Sequence, residues 1–160
     1  MTAAGTYVKM STPYVGAGII LMRLVDNVPH FLMLKGRRSN VWSFPKGHPE
    51  MSDSNSPLRT AVRETKEETG LINDVDYMIV GDAIRFGKRP YWLGIVQGEP
   101  NVRLCLHEHI DWCWATRADI EQMESNTDVR AWVKKTLVPS NWTRLVSSAV
   151  SMLPMLVAAN

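Results

Sequence analysis

Phe44-Pro45-Lys46-Gly47-His48, a polar stretch to Ser56, and then Pro57-Leu58-Arg59-Thr60-Ala61-Val62-Arg63-Glu64-Thr65-Lys66-Glu67-Glu68-Thr69-Gly70 decide how this chain is built. Ser56 offers a hydroxyl to the free amides of a helix start, and Pro57 suits the first helical position. Gly70 suits the left-handed residue that closes such a segment. The spacing therefore predicts a helix over residues 57–69. At about 100° per residue, with Glu64 at zero, Glu68 falls near 40° and Glu67 near −60°. Leu58, Ala61, Val62 and Thr65 fall between roughly 60° and 160°, the stripe expected to pack on a sheet. One face is apolar and the neighbouring one carries three carboxylates. Such crowding costs helix stability and raises carboxyl pKa values unless a positive charge shares the site. A divalent cation resolves it. Magnesium takes oxygen ligands, often one or two carboxylates with waters and phosphate oxygens, and a polyphosphate brings those oxygens with it. A glutamate left over can accept a proton from a water. On its own the acidic run reads as an ordinary solvated helix face. The upstream lysine and glycine, in a loop that leads into the helix, turn it into a phosphate and metal pocket.

Upstream, Tyr14 to Val25 and Phe31 to Leu34 are rich in branched apolar residues and flank the turn signal Asp26-Asn27-Val28-Pro29, which predicts a β-hairpin. Val41 to Phe44 reads as a short strand stopped by Pro45, and a loop follows from Lys46 to Ser56. Downstream, Asp76 to Arg85 and Pro90 to Val96 read as strands around a Gly87-Lys88-Arg89 turn, and Asp111 to Ala115 as another. Thr116 opens a helix in capping-box style with Asp119 in the acidic place, and Asp128 to Leu137 is helical. The expected fold class is α/β (α+β): a mixed sheet between helices, with residues 14–137 as one domain, 1–13 as a flexible lead-in and 138–160 as a C-terminal tail or helix.

The 160 residues leave no room for a second catalytic domain, and 45% hydrophobic content furnishes a core. A net charge of +2 is too mild for a protein that coats nucleic acid. Cys105 and Cys113 give neither zinc spacing nor a disulfide framework, and Met1 to Met10 lacks the apolar core of a secretory signal, so the expected setting is cytoplasmic. Leu145 to Ala159 is too short and too interrupted by serines and Pro154 for a membrane helix, so no membrane partner is expected.

The helix and its loop resemble the box of the Nudix hydrolase family, in which a glycine, a first glutamate, Arg-Glu, Glu-Glu and a closing Gly-aliphatic pair recur at set spacing. Gly47, Arg63, Glu64, Glu67, Glu68, Gly70 and Leu71 match it. Asp53 stands in place of the first glutamate, two extra residues separate it from Arg63, and Thr65 replaces an aliphatic residue. The resemblance spans roughly residues 14 to 135 and implies an α/β/α sandwich. Trp42 to His48, Tyr91-Trp92-Leu93 and Val102 to Trp114 look like the diadenosine tetraphosphate hydrolase branch. Carried over, the pattern implies that the Gly47 carbonyl with Glu64, Glu67 and Glu68 binds magnesium, with manganese as an alternative ion. Glu108 matches a later glutamate that completes the metal site or acts as base. Either Glu64 or Glu67 is the base in different family members, and Arg63 orients the helix glutamates.

The expected partner is therefore a small nucleoside polyphosphate. Lys46 is expected at its phosphates, Arg37 and Arg38 at the far phosphates, and Trp42 and Tyr91 as stacking platforms for a base. His48, His107 and His109 read as hydrogen-bonding residues, since magnesium prefers oxygen. Related branches share the Trp42-to-Gly47 pattern, which keeps two other substrates in view: the messenger RNA cap and diphosphoinositol polyphosphates. A non-catalytic binding module is disfavoured because the box glutamates remain.

Overall fold

The computed structural model describes residues 13–158, with side chains described as far as Leu153. Most of the lead-in expected at the N-terminus, residues 1–12, lies outside the described residues. The chain folds as a mixed seven-stranded sheet with helices on both faces. β1 (Ala17–Val25) and β2 (Val28–Gly36) form the hairpin, whose pairing reaches Val25 opposite Val28. Asp26 and Asn27 alone make the turn, at φ 50° and 64°. Two consecutive left-handed residues match the twist of the flanking strands, so the turn is tighter than the four residues expected.

Past Met22 and Phe31 the hairpin splays, and two short strands fill the gap. β3 (Trp42–Ser43) pairs with β2 at Leu34 and Lys35, and β4 (Lys46–Gly47) pairs with β1 at Ala17 and Gly18. The expected loop from Lys46 thus begins as sheet. On the other side of β1 lies β6 (Arg89–Val96), in parallel, followed by β5 (Tyr77–Phe86). β7 (His109–Ala115) covers the far edge of β2.

Strand alternation sorts the core into two faces. Ile19 and Leu21 join Ala61 and Leu71 beneath α1 (Pro57–Thr69). Ile20 and Met22 join Phe31, Phe44, Trp132 and Trp142 beneath α2 (Arg117–Glu121), α3 (Thr127–Lys135) and α4 (Asn141–Ala158). Within the region expected as tail or helix, α4 is seated on this core through Trp142 and Ala149, 3% and 1% exposed. Among the described residues no helix is long and apolar enough to cross a membrane.

A buried acid ties the second layer to the sheet. Asp128 is fully buried and accepts from the Tyr91 hydroxyl at 2.5 Å, Arg89 Nη1 at 3.1 Å and the Lys88 amide at 3.2 Å. Replacing it with alanine strands a half-buried guanidinium, for an expected loss of about 3–5 kcal/mol. Urea unfolding checks this, and a loss near zero would show that the network adds nothing.

Candidate active site

The local sequence seats the carboxylate helix firmly. Ser56 accepts from the Arg59 amide at 3.3 Å, and Gly70, at φ 75°, closes the helix by donating to Lys66. The buried face differs from the expected stripe. Thr60, Ala61, Thr65, Glu68 and Thr69 are buried, whereas Leu58 is 38% exposed and Val62 only half-buried. The helix is rolled toward its acids because Thr60 bonds both Tyr14, at 2.7 Å, and Asp53, at 2.7 Å. Glu68 therefore lies in the packed seam rather than on an outer face.

Asp53 and Arg63 fasten the loop to the helix. Asp53 is 2% exposed and receives Arg63 Nε and Nη2, each at 2.9 Å, with the Glu50 amide at 2.9 Å. The fork of Arg63 holds its carboxyl well below the usual carboxylate range. The two extra residues are absorbed by a 3-10 turn at Met51–Asp53 and by Ser54 and Asn55, both left-handed at φ 52° and 56°. Asp53 so reaches Arg63 despite its shorter side chain. Arg63 also donates to Glu64 at 3.0 Å, Glu67 at 3.1 Å and the His48 carbonyl at 2.8 Å. These bonds hold Arg63 against both carboxylates and the loop.

Beside them opens a cleft of about 650 Å³ lined by Gly47, Glu64, Glu68 and Glu108 and by Arg37, Arg38 and Lys46 among others. Gly47 is there because a Cβ would land on the Glu64 carboxylate. Glu68, Glu108 and His109 bring one ligand atom each within 4.8 Å of one another. With the Gly47 carbonyl and Glu64 nearby, this oxygen-rich donor set fits a hard divalent cation.

Three expectations change. Tyr91 is 1% exposed with its hydroxyl on Asp128, a core residue rather than a stacking platform. Trp42 is half-buried against the core under the Lys35 ammonium and does not line the cleft. Glu67 is not among the residues lining the cleft; its side chain is 53% exposed and shares Arg63 Nη1 with Glu64. Sequence reasoning missed Asn126, which lines the cleft while capping α3, and the pairing of His109 with Glu68 at 2.8 Å.

Burial pushes the Glu64 carboxyl up to about 7 against the pull of Arg63, and burial raises Glu68 against the pull of His109. In the folded protein these acids keep protons that the unfolded chain sheds above about pH 4.5. Their contribution to metal-free stability is therefore full below that pH and falls as pH rises, for Glu64 through about 7. Asp53 acts in the opposite sense, below about pH 4. A bound cation reverses the effect at Glu64 and Glu68. Magnesium is expected to raise the thermal midpoint more at pH 8 than at pH 5, measured against EDTA controls. An equal rise at both would contradict this.

Carboxylates, basic side chains and a glycine loop line one cleft, a set that suits a divalent cation and a phosphate together. A NUDIX domain model matches residues 13–136, and the chain belongs to the NUDIX family. It is a Nudix pyrophosphohydrolase of nucleoside diphosphate-linked substrates, a family that uses divalent metal ions. The chain is similar to C. elegans Ap4A hydrolase in a binary complex, at 25% identity over 76% of this chain and 94% of that one, with a TM-score of 0.64. A second structure of C. elegans Ap4A hydrolase gives 23% identity over 76% and 98%, with a TM-score of 0.60. The NUDIX domain of Shewanella oneidensis NrtR, complexed with ADP ribose, shares the fold at 17% identity over 78% and 86%, with a TM-score of 0.57. No curated protein sequence matches the chain.

Proposed function

We propose that the chain hydrolyses a dinucleoside polyphosphate asymmetrically, diadenosine tetraphosphate giving ATP and AMP, with magnesium as the working ion. The observation that carries this reading is one cleft of about 650 Å³ that brings Glu64, Glu68 and Glu108 together with Arg37, Arg38 and Lys46, room and charge for a metal-bound phosphate chain. The likeness to C. elegans Ap4A hydrolase over nearly the whole of that chain supports it.

Glu64 is the base. It faces the cleft beside Gly47, whereas Glu67 does not, and Arg63 Nη1 fixes one of its oxygens at 3.0 Å. Its carboxylate takes a proton from a water, the water oxygen bonds to phosphorus, and the bridging P–O bond breaks with its electron pair on the departing phosphate. Gly47, Glu64, Glu68 and Glu108 would hold the cation, which when bound neutralises phosphate charge and polarises the water. Lys46 carries charge beside the reacting phosphate, and Arg37 and Arg38 hold the distal ones. Arg37 is pre-set for this, because its Nε donates to the Leu106 carbonyl at 2.8 Å.

One observation favours a second reading. Among the described residues that line the cleft none is Phe, Tyr or Trp, so recognition leans on phosphates rather than on base stacking. That suits a diphosphoinositol polyphosphate. Chromatography after incubation with magnesium and diadenosine tetraphosphate, capped RNA or a diphosphoinositol phosphate separates the cases. ATP and AMP in equal amounts are expected from the first. Two ADP would overturn the asymmetric cut, faster turnover of either other substrate would move the assignment, and no product from any would leave a binding module.

A further inference from the structure

We infer that His109 is a positioning residue, whose Nε2–H aims the Glu68 carboxylate at the metal. The inference rests on reading the cleft as a metal-dependent hydrolase site. Glu68 is 3% exposed and its Oε2 lies 2.8 Å from His109 Nε2; among the described residues it receives no other side-chain hydrogen bond. A buried carboxylate without a donor is costly and free to turn, so one N–H fixes both its charge and its orientation.

The fold takes trouble to deliver that N–H. Along β7 the ladder pairs Lys35 with Asp111 and Gly36 with His109, so Ile110 is an extra residue. Bulges of this kind re-aim side chains. Here His109 is 6% exposed while Asp111, two residues on, faces solvent. The segment before it is stitched to the end of α1: Arg103 donates to Thr69 at 2.8 Å, Cys105 to Glu68 at 3.1 Å, and His109 returns its own amide to Cys105 at 3.0 Å. The opposite edge is tied by the Arg37 amide to the Glu108 carbonyl at 2.8 Å. Backbone and imidazole together lock Glu68 to the strap that carries Glu108. Among the described residues the other ring nitrogen, Nδ1, is buried without a partner, so the imidazole has a single directed side-chain contact, to Glu68. Outer partners that orient a metal's ligands in this way are typically worth 10–100-fold in affinity.

Manganese binding without substrate, followed by electron paramagnetic resonance, tests this on wild type, His109→Gln and His109→Leu. Leucine keeps bulk but has no N–H; glutamine places an N–H at a similar reach. Expected is a 10–100-fold weaker manganese affinity for His109→Leu, with His109→Gln close to wild type. In turnover the leucine variant should need correspondingly more magnesium for half-maximal rate and recover most of kcat at saturation. Thermal midpoints in EDTA identify any variant that has lost its fold, and the comparison then rests on the other. Wild-type affinity in His109→Leu would overturn the positioning role, and so would a glutamine variant as weak as a folded leucine one. Failure of the wild type itself to bind manganese would instead bring down the metal-site reading.

Discussion

Glu64→Gln is expected to lower kcat by about 10²–10⁴-fold, the range of a positioned general base, without loss of fold. The amide keeps the shape against Gly47 and can still meet Arg63, but it cannot accept the proton. Burial already disfavours the Glu64 charge, so above pH 7 the metal-free variant should be at least as stable as wild type. Glu67→Gln makes the informative contrast. Its carboxylate is half exposed and held by Arg63 Nη1, and its loss should lower turnover far less, mainly by loosening Arg63. Rate measurements at saturating magnesium, beside thermal melts in EDTA, separate the two. If Glu67→Gln proves the deeper lesion, the base has been assigned to the wrong glutamate.

Arg63→Ala is expected to cost about 3–5 kcal/mol of stability, because it leaves Asp53 as an unpaired buried charge. An exposed ion pair would be worth about 0–1 kcal/mol, so the size of the loss reports whether the loop is anchored as described. The same change frees the His48 carbonyl, Glu64 and Glu67 together, so turnover should fall with stability. Arg63→Lys should recover part of the stability but not the rate. An ammonium is a point charge and cannot reproduce two parallel bonds to Asp53 while also reaching Glu64. Denaturant unfolding at pH 7 gives the first quantity, and a loss within 1 kcal/mol would mean that Asp53 finds another partner.

The elements that write their own boundaries were readable from sequence. Ser56, Pro57 and Gly70 delimit α1 as expected, and Thr116 with Asp119 forms the anticipated capping box. The hairpin and the two strands around Gly87 follow from alternation and turn residues. What escaped depends on distant partners. β3 and β4 have two residues each, too few for any periodicity to register. Helical geometry places Glu68 relative to Glu64 but says nothing of how the helix is seated, which Thr60, Tyr14 and Asp53 decide. Tyr91 looks like a platform until Asp128, far along the chain, claims its hydroxyl. His109 is turned inward by a bulge, and a bulge exists only between two strands. Spacing put the carboxylates and Arg63 on one helix, while the contacts of Asp53, Thr60 and His109 that brace it were visible only in three dimensions.

The splayed hairpin divides labour along the cleft. Gly47 is fixed by main-chain pairing of β4 to β1, whereas the loop after Arg37, itself tied to the Leu106 and Glu108 carbonyls, is closed on itself by Gly36 to Val41 and Asn40 to Gly36. Beyond Arg37 that loop is a cassette: its length and charge can drift, or be exchanged by a protein engineer, while the cutting edge stays in register. Descendants of such a fold can change diet without relearning how to bite.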